Sequence, residues 1–450
     1  MSFRRALAAF SLAAACASPN GTIQVTVGGE GNALTQAPAV DTLLVEAVGH
    51  DGSRLTLKSG SPSDTSLDLG DVSQTSVASL ELTGSSGSNA VVFGATPFVE
   101  LGTLDGATIP LFVQRKGQLA RMPGTIADSR TAPHLAATER AIYYAGGNIS
   151  GSTDPPPLGG YDRLFLTGFG TTCPGAAASS FALVQLTQPN SDGVSVYAWF
   201  IDASGVKVTG LAQDCVDYSS LVTLPTGTSW ADFAGGSTVG GDDGAIYVVG
   251  PSAPSAALGT VLKIVGDANA KNFLGLDTFT FSTSTRQGAA TAWAPGRGVF
   301  LYGGSATAPG VEIVAPTGAV TTSFAPDPTQ GLAAIAYDQS KKMLVAGDAG
   351  PARQVDLSCS GSSCAPTPWG PPLGVPLTSP ALFALGNDAF LIVGDDPTGT
   401  TRAFRLTESE ATPEEIFFKI PRQGARAVQT DTGEVIILGG GSDVPESYFD

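Results

Sequence analysis

The sequence predicts an all-β protein in which a small N-terminal β domain precedes a long array of repeated β-sheets. Two observations carry this prediction. The 450 residues include 57 glycines and only 14% charged residues, a bias typical of all-β proteins with many tight turns, because glycine reaches positive φ without steric cost. An apolar run that stops on glycine also recurs along the chain, with its first glycine at Gly146, Gly250, Gly303, Gly347, Gly394 and Gly439. A period of about 50 residues marks a repeat architecture.

The N-terminal segment, residues 1–15, has the pattern of an export signal. Arg4-Arg5 supplies a positive start, and Ala6–Ala15 is an apolar stretch of about ten residues. A membrane-spanning helix needs ~20 apolar residues, so this stretch predicts a signal peptide and not an anchor helix. We therefore expect the mature protein to function in the cell envelope.

The end of that stretch, Leu12-Ala13-Ala14-Ala15-Cys16, resembles the lipobox of bacterial lipoproteins, although Ala13 stands where Leu is usual. The resemblance implies cleavage before Cys16 and acylation of its thiol and new amino terminus. It also implies attachment to a membrane through this lipid, and we expect the outer membrane. The alternative is an ordinary signal peptide cut nearby, with Cys16 removed.

The charge balance limits the partners of the protein. With 23 basic and 40 acidic residues the formal net charge is −17. No cluster of Lys and Arg is present that could displace the counterions of a nucleic acid, so we expect no nucleic-acid partner. An acidic surface favours solubility in an extracellular or envelope setting, and we expect a monomer.

Four further cysteines predict disulfides, because an even number in an exported chain argues for pairing. Cys359 with Cys364 is favoured, since the loop between them is flexible, and Cys173 with Cys215 follows by elimination. The second bridge would close a loop of roughly 40 residues and contribute about 3–4 kcal/mol in the chain-entropy description. The spacings do not fit a zinc site.

Residues 16–108 are predicted to form an immunoglobulin-like β-sandwich, with a loose β linker region as the alternative. Short, partly alternating segments separated by Gly, Ser, Asp and Asn are typical of strands joined by tight turns. About seven of them in ninety residues fit such a sandwich. The candidate strands are Ile23–Val27, Thr42–Gly49, Arg54–Lys58, Ser66–Leu69, Val77–Thr83, Ala90–Phe93 and Phe98–Leu101.

Residues 109–450 carry the repeats, and each well-preserved copy is predicted to contain three strands. A small-residue strand led by arginine begins 16 or 17 residues before the glycines, at Arg130, Arg286 and Arg422. A turn such as Asp431–Glu434 leads into the apolar strand, and another strand follows the glycines, as in Val311–Val314. Turn residues between two such strands predict a hairpin.

This order of strands resembles the kelch repeat, in which each copy of about 50 residues forms one four-stranded blade of a β-propeller. The step from Gly146 to Gly250 is about twice as wide as the others, and Gly193–Phe200 lies midway. We place a degenerate blade there, flanked by Cys173 and Cys215. This gives a seven-bladed propeller, and six blades with a long insertion is the alternative.

The ends of the repeat region predict how the ring closes. The sequence reaches Asp450 just after a third strand, so the last blade lacks its outermost strand. Leu111–Val113 and Gln118–Pro123 precede the first complete repeat without a blade of their own. We expect one of these two segments to pair with the blade that contains Gly439, because that pairing removes an open sheet edge.

Kelch-type propellers also resemble galactose-oxidase-like enzymes, whose copper site uses two histidines and two tyrosines. The chain has only His50, in the N-terminal domain, and His134, so the resemblance does not carry that activity. We expect no metal and no cofactor, and His134 is predicted to be packed or to line the channel. The pairs Asp242-Asp243 and Asp395-Asp396 are candidates for glycosidase chemistry or, alternatively, for capping loops.

Arg130, Arg286 and Arg422 recur at one repeat position. They either brace neighbouring blades by binding loop carbonyls or form a ring of cations at one mouth of the channel that receives an acidic ligand. No nucleophile or cofactor motif is evident, so we predict no catalytic residues and a non-catalytic protein that binds a protein or glycan through the loops of one propeller face. The alternative is a carbohydrate-active enzyme with acidic residues at the channel mouth.

Overall fold

The described part of the chain is all-β: its regular elements are strands, apart from two 3-10 helices at Leu101–Leu104 and Ser219–Leu221. A helix long and apolar enough to cross a membrane does not occur in it. The computed structural model describes residues 21–70, 77–104, 106–153, 156–170, 182–185, 197–202, 205–210, 213–217, 219–224, 226–227, 229–230, 233, 237–243, 245–249, 260–265, 277–282, 289–303, 310–322, 334–337, 342–358 and 366–450.

The N-terminal domain contains the first eight strands, and all seven strands predicted for this region are present, with ends within three residues of those expected. The strands are β1 Gly21–Val27, β2 Thr42–Gly49, β3 Arg54–Gly60, β4 Ser66–Gly70, β5 Val77–Ser86, β6 Asn89–Ala95, β7 Val99–Glu100 and β8 Thr108–Arg115.

These strands form one curved sheet in the order β3-β2-β5-β6-β8-β1-β4, with β7 beside β5. The edge strands β3 and β4 contact each other, so the sheet curls around a single core. Alternate side chains of β1, β2, β5 and β8, among them Ile23, Val45, Leu80 and Val113, are buried there. The first and last strands, β1 and β8, run parallel, with Ile23 opposite Ile109.

The domain boundary expected at residue 108 is wrong by the length of one strand. β8 pairs with β1 along its first six residues, and its end at Gln114 and Arg115 pairs with β6, so the N-terminal domain extends to Arg115. An apolar strand of this kind fits a blade equally well. What decides its place is a parallel pairing with a strand about 90 residues earlier, which no local pattern predicts.

Seven antiparallel four-stranded sheets follow among the described residues, and the last of them combines β34, β35 and β36 with β9. The other six are β10–β13, β14–β17, β18–β21, β22–β25, β26–β29 and β30–β33. The strands are β9 Leu119–Arg121, β10 His134–Ala137, β11 Ala141–Ala145, β12 Gly159–Asp162, β13 Thr167–Gly170, β14 Ala182–Gln185, β15 Tyr197–Asp202, β16 Gly205–Gly210, β17 Gln213–Asp217, β18 Ser237–Gly240, β19 Ala245–Val249, β20 Thr260–Val265, β21 Asp277–Ser282, β22 Ala290–Ala294, β23 Gly298–Tyr302, β24 Val311–Val314, β25 Val320–Thr322, β26 Ala334–Tyr337, β27 Lys342–Ala346, β28 Pro351–Asp356, β29 Thr367–Pro372, β30 Thr378–Gly386, β31 Ala389–Asp395, β32 Thr401–Thr407, β33 Glu414–Glu415, β34 Ala425–Gln429, β35 Val435–Gly439 and β36 Glu446–Tyr448.

The sheets stand in a closed ring, which confirms the prediction of a β-propeller. The first strand of each sheet contacts the first strand of the next, and β34 contacts β10. The predicted closure is also confirmed: β9, within the segment Gln118–Pro123, pairs with β36, with Leu119 opposite Tyr448. The strand that precedes the first sheet therefore completes the last one and covers its edge.

The apolar runs that end on glycine are the second strands of the sheets, and they lack alternation because both of their faces are buried. Along β11, Ile142 and Tyr144 pack against Ile436 and Leu438 of the preceding sheet, whereas Tyr143 lies in a cluster with Phe200 of the following sheet. Successive side chains of a strand point to opposite faces, so each residue of the run contacts one neighbouring sheet.

Candidate functional site

Arg130 is fully buried at the junction between the last and the first sheet of the ring. Its Nη1 donates to the carbonyl of Gly146 at 3.1 Å, and its Nη2 donates to the carbonyl of Pro157 at 2.7 Å. The carboxylate of Asp128 accepts from Nε at 2.6 Å and pairs with Nη2. Each charged edge of the guanidinium therefore has a partner inside the protein.

Arg422 repeats this arrangement in the last sheet. Nη1 donates to the carbonyl of Gly439 at 2.7 Å, Nη2 donates to that of Val444 at 2.6 Å, and the carboxylate of Glu446 lies 3.0 Å from Nη2. Both side chains of this ion pair are fully buried. Burial lowers the pKa of Arg422, and the charge of Glu446 opposes that shift.

The two arginines thus bind the carbonyl of the first repeat glycine and that of the loop before the third strand. The structure supports the bracing interpretation for Arg130 and Arg422, because neither side chain reaches solvent at a channel mouth. The hypothesis of a cation ring that receives a ligand is wrong for these two residues. The third member of the predicted set, Arg286, lies outside the described residues.

In two sheets, the strand that follows the repeat glycines carries a glutamate at the same position. Glu446 stands opposite Ile437, and Glu312 stands opposite Leu301, in each case opposite the residue two positions before the first repeat glycine. Glu312 is also almost fully buried. This register equivalence is a feature that the sequence could have revealed, since Glu312 and Glu446 occupy the same place in their repeats.

His134 lies on the innermost strand β10, and its side chain stays accessible although other parts of the protein surround it. The protein around the channel nevertheless disfavours the charged imidazolium: burial and the nearby Arg426 cation lower the pKa of His134 from 6.5 to about 4. Arg426 itself pairs with Asp395 at 2.8 Å. The inner surface at this point therefore carries a neutral imidazole beside Arg426, whose charge is neutralised by Asp395.

The paired acids cap loops. Asp395 is buried and accepts from the Thr401 hydroxyl at 2.7 Å. Asp396 accepts from the hydroxyl and backbone N–H of Thr398, and these hydrogen bonds hold its pKa below the usual range. Asp243 is partly buried, which would raise its pKa, but hydrogen bonds from Lys263 and the Tyr247 hydroxyl lower it overall.

A glycosidase needs one carboxyl group that stays protonated near neutral pH. Among the carboxyl groups that the structure describes, the pKa is raised for Glu81 and Glu434, in both cases chiefly by burial. Glu81 is paired with Arg54 in the N-terminal domain, and Glu434 is fully enclosed beside Arg163. Neither of these two carboxyl groups lies in an open cleft.

The face of the ring opposite the repeat glycines is formed by the turns between first and second strands, and it carries an open cleft of about 730 Å³. We call it the hairpin-face cleft. Its lining includes Asn387 and Asp388 from the β30–β31 turn, Thr430 and Asp431 from the β34–β35 turn, and Tyr337. Among the residues that the structure describes, no Lys or Arg lines it.

Three features hold this cleft in shape. Asn387 and Asp388 both have positive φ, 49° and 54°, the conformation of a tight hairpin turn that Asn and Asp tolerate better than most residues. Gln429 donates to the carbonyl of Ala384 at 2.8 Å and so joins the two hairpins. Arg163, from the first sheet, donates to Asp431 at 3.0 Å.

The remaining predicted site residues stay predictions. Cys16, Cys173, Cys359 and Cys364 lie outside the described residues, and Cys215 falls at a position of β17 where the side chain is not described. In the described part of the chain, His, Cys, Asp and Glu side chains form no group of three or more that could hold a metal ion.

Comparisons with known proteins identify the fold and leave the function open. No family model matches the chain, and no curated protein is similar to it. Among solved structures, a catalytically inactive virginiamycin B lyase from Staphylococcus aureus with quinupristin matches with a TM-score of 0.51 and 12% identity, over 73% of this chain and 98% of that one. A chain of the mitotic checkpoint complex matches with a TM-score of 0.45 and 12% identity, over 74% and 95%. Likeness at this level of identity shows the fold alone.

Proposed function

We propose that the protein is a non-catalytic binding protein that holds a glycan in the hairpin-face cleft of its propeller. The observation that carries the proposal is the cleft itself. Its volume, about 730 Å³, falls within the range of ligand sites in proteins, ~300–1,000 Å³. It is bounded by the turns of neighbouring sheets, which a rigid ring holds in place while their sequences are free to vary.

The chemistry of the lining favours a neutral, hydroxyl-rich ligand. Amide, hydroxyl and carboxylate groups from Asn387, Thr430, Asp388 and Asp431 surround the cleft, and Tyr337 adds an aromatic ring. Such groups accept and donate hydrogen bonds to sugar hydroxyls. Two carboxylates, with no cation among the described lining residues, disfavour an anionic ligand.

A glycan array printed with neutral and acidic oligosaccharides, followed by calorimetry on the hits, tests this proposal. We expect neutral glycans to bind, and we expect Asp388→Asn and Tyr337→Phe to weaken binding by about 10-fold, the effect of one hydrogen bond to a charged or well-oriented group. Asn keeps the positive-φ turn in the first variant. Glu408→Gln, an exposed acid outside the cleft, is the control. Binding of protein partners alone, or equal binding by all variants, would reject a glycan site in this cleft.

We also propose the number of propeller blades and the type of the N-terminal domain. We take the seven described sheets as the blades of a kelch-like seven-bladed propeller. We take the N-terminal domain as an immunoglobulin-like sandwich whose two layers are joined by β8, which pairs first with β1 and then with β6. The pattern of buried arginines at Arg130 and Arg422 supports a shared repeat. An experimental structure with β14–β17 outside the ring would leave six blades with an insertion, the rival interpretation.

We further propose export and attachment to the outer membrane through Cys16, with disulfides Cys359–Cys364 and Cys173–Cys215. The signal-like residues 1–15 support this proposal. Metabolic labelling with radioactive palmitate tests it: label should enter the wild-type protein and be absent from Cys16→Ala. Peptide mapping without reductant tests the disulfide pairings.

A further inference from the structure

A second cleft lies where the N-terminal domain meets the closing sheet of the propeller. It has a volume of about 490 Å³, which is within the range of small-molecule sites. Its walls come from the end of β1 and the loop after it, the end of β8, and β9. We call it the joint cleft, and it is separate from the hairpin-face cleft in both position and lining.

The joint between the two domains is firmly built around this cleft. Arg121 donates from Nε to the carboxylate of Glu30 at 2.9 Å and from Nη2 to the carbonyl of Gly29 at 2.9 Å. The side-chain amide of Gln114 lies 2.9 Å from the Ser447 hydroxyl. These contacts join β8 and the β1–β2 loop to the last sheet, so a ligand would enter a preformed site.

Arg115, at the end of β8, lines the joint cleft and is only 7% exposed. Its Nη1 donates to the carbonyl of Pro38 at 2.9 Å, and its Nη2 donates to the carbonyl of Gln36. Its Nε is buried and has no hydrogen-bond partner among the described residues. No carboxylate in the described part of the chain forms an ion pair with it, and burial alone lowers its pKa.

A buried guanidinium without a counter-ion is costly, because desolvation disfavours the charge and neutral carbonyls compensate only in part. The carboxylate in the described lining, that of Glu30, does not supply the missing charge, since it is paired with Arg121. An anion that enters the cleft would offset this cost. Lys419 also lines the cleft and is exposed, so a second cation is available to the same ligand.

Apart from Gln114, whose side-chain amide contacts Ser447, the remaining polar lining consists of side-chain amides, from Asn32, Gln36 and Gln118. Amides donate to and accept from hydroxyl groups, and they also bind the second oxygen of a carboxylate. The combination of two cations with three amides therefore fits a small molecule with one carboxylate and additional polar groups.

We propose that the joint cleft binds a small organic carboxylate, with Arg115 and Lys419 as its charged contacts. The ligand chemistry has two sources, a sugar acid and a simple carboxylic acid, and the experiment separates them. The site does not depend on the glycan proposal for the hairpin face.

Calorimetry with sodium glucuronate, sodium succinate and neutral glucose tests the proposal on the full-length protein. We expect glucuronate to bind, and binding should weaken as NaCl is raised from about 20 to about 200 mM, because salt screens the exposed Lys419 contact. Binding of succinate as well would show that the carboxylate alone suffices. Binding of glucuronate alone would identify a sugar acid.

Matched variants decide which cation acts. Lys419→Gln should weaken binding about 2- to 5-fold, as for an exposed charge pair, and Arg115→Met should weaken it about 10- to 100-fold, as for a hydrogen bond to a charged group. Lys116→Gln removes an exposed lysine beside Arg115 that is not part of the lining, and it should change nothing. Glucose that binds as tightly as glucuronate, no binding of either carboxylate at about 10 mM, or equal losses in Lys116→Gln and Lys419→Gln would overturn the proposal.

Discussion

Arg422 in the closing sheet and Arg115 at the domain joint are both buried, but among the described residues only Arg422 has a carboxylate partner. The guanidinium of Arg422 is paired with Glu446 and donates to two loop carbonyls. That of Arg115 donates to two carbonyls and to no acid that the structure describes. The fully paired charge of Arg422 serves the scaffold, and we propose that the incompletely paired charge of Arg115 contacts a ligand.

Arg130 and Arg422, which the sequence suggested as ligand contacts, are therefore structural, whereas Arg115, which we propose as a ligand contact, has no recognisable sequence pattern. Arg130 and Arg422 were candidate site residues because they recur at one repeat position. Their recurrence reflects a packing requirement of the propeller, in which each must hold the carbonyl of a repeat glycine. Arg115 occurs once, at the end of a strand, and nothing in the pattern marks it.

The largest expected effect is the loss of stability when Arg422 loses its carboxylate partner, Glu446. Glu446→Gln leaves Arg422 charged, buried and without its counter-ion, and it weakens the bonds that Glu446 accepts from the backbone N–H groups of Lys419 and Ile420. We expect the free energy of unfolding to fall by about 3–5 kcal/mol. Denaturant titration checks this, with exposed Glu408→Gln as the control, which should stay within about 0.5 kcal/mol of wild type.

Ring closure is the next most sensitive feature. Leu119 of β9 is 1% exposed and packs in one cluster with Val435, Ile437 and Tyr448. Leu119→Ala should therefore lower the free energy of unfolding by about 2–4 kcal/mol. Leu55→Ala, at a side chain that is 44% exposed, should cost much less in the same titration. A comparable loss in both variants would mean that β9 does not hold the ring closed.

The smallest expected effect is a loss of stability at acidic pH that comes from His134. The pKa of His134 is lowered from 6.5 to about 4, so the folded protein binds fewer protons than the unfolded chain between these values. Its contribution to stability is present above pH 6.5 and is lost as the pH falls toward 4. Because the chain has two histidines, an NMR titration of the imidazole signals, with His50→Gln to assign them, measures this pKa. A normal value near 6.5 for His134 would contradict the described channel surface.

The fold was more predictable than the sites, for a physical reason. Second strands buried on both faces leave a long apolar run that a single sequence displays, and β9 could be assigned to the last sheet because that sheet lacked a strand. The boundary at Arg115 was missed because it depends on the parallel pairing of β1 with β8. The joint cleft was missed for the same reason: Asn32, Arg115 and Lys419 come together only through contacts between distant segments.

The most direct test of the contrast between the two arginines is the unfolding free energy of Arg422→Met and Arg115→Met, measured without ligand. Arg422→Met leaves Glu446 buried and unpaired, and a loss of about 3–5 kcal/mol is expected. Arg115→Met removes a charge that has no counter-ion, and this gain offsets the two lost hydrogen bonds, so a change within about 1 kcal/mol of wild type is expected. An equally large loss in both variants would show that Arg115 is a second brace and contradict its assignment as a ligand contact.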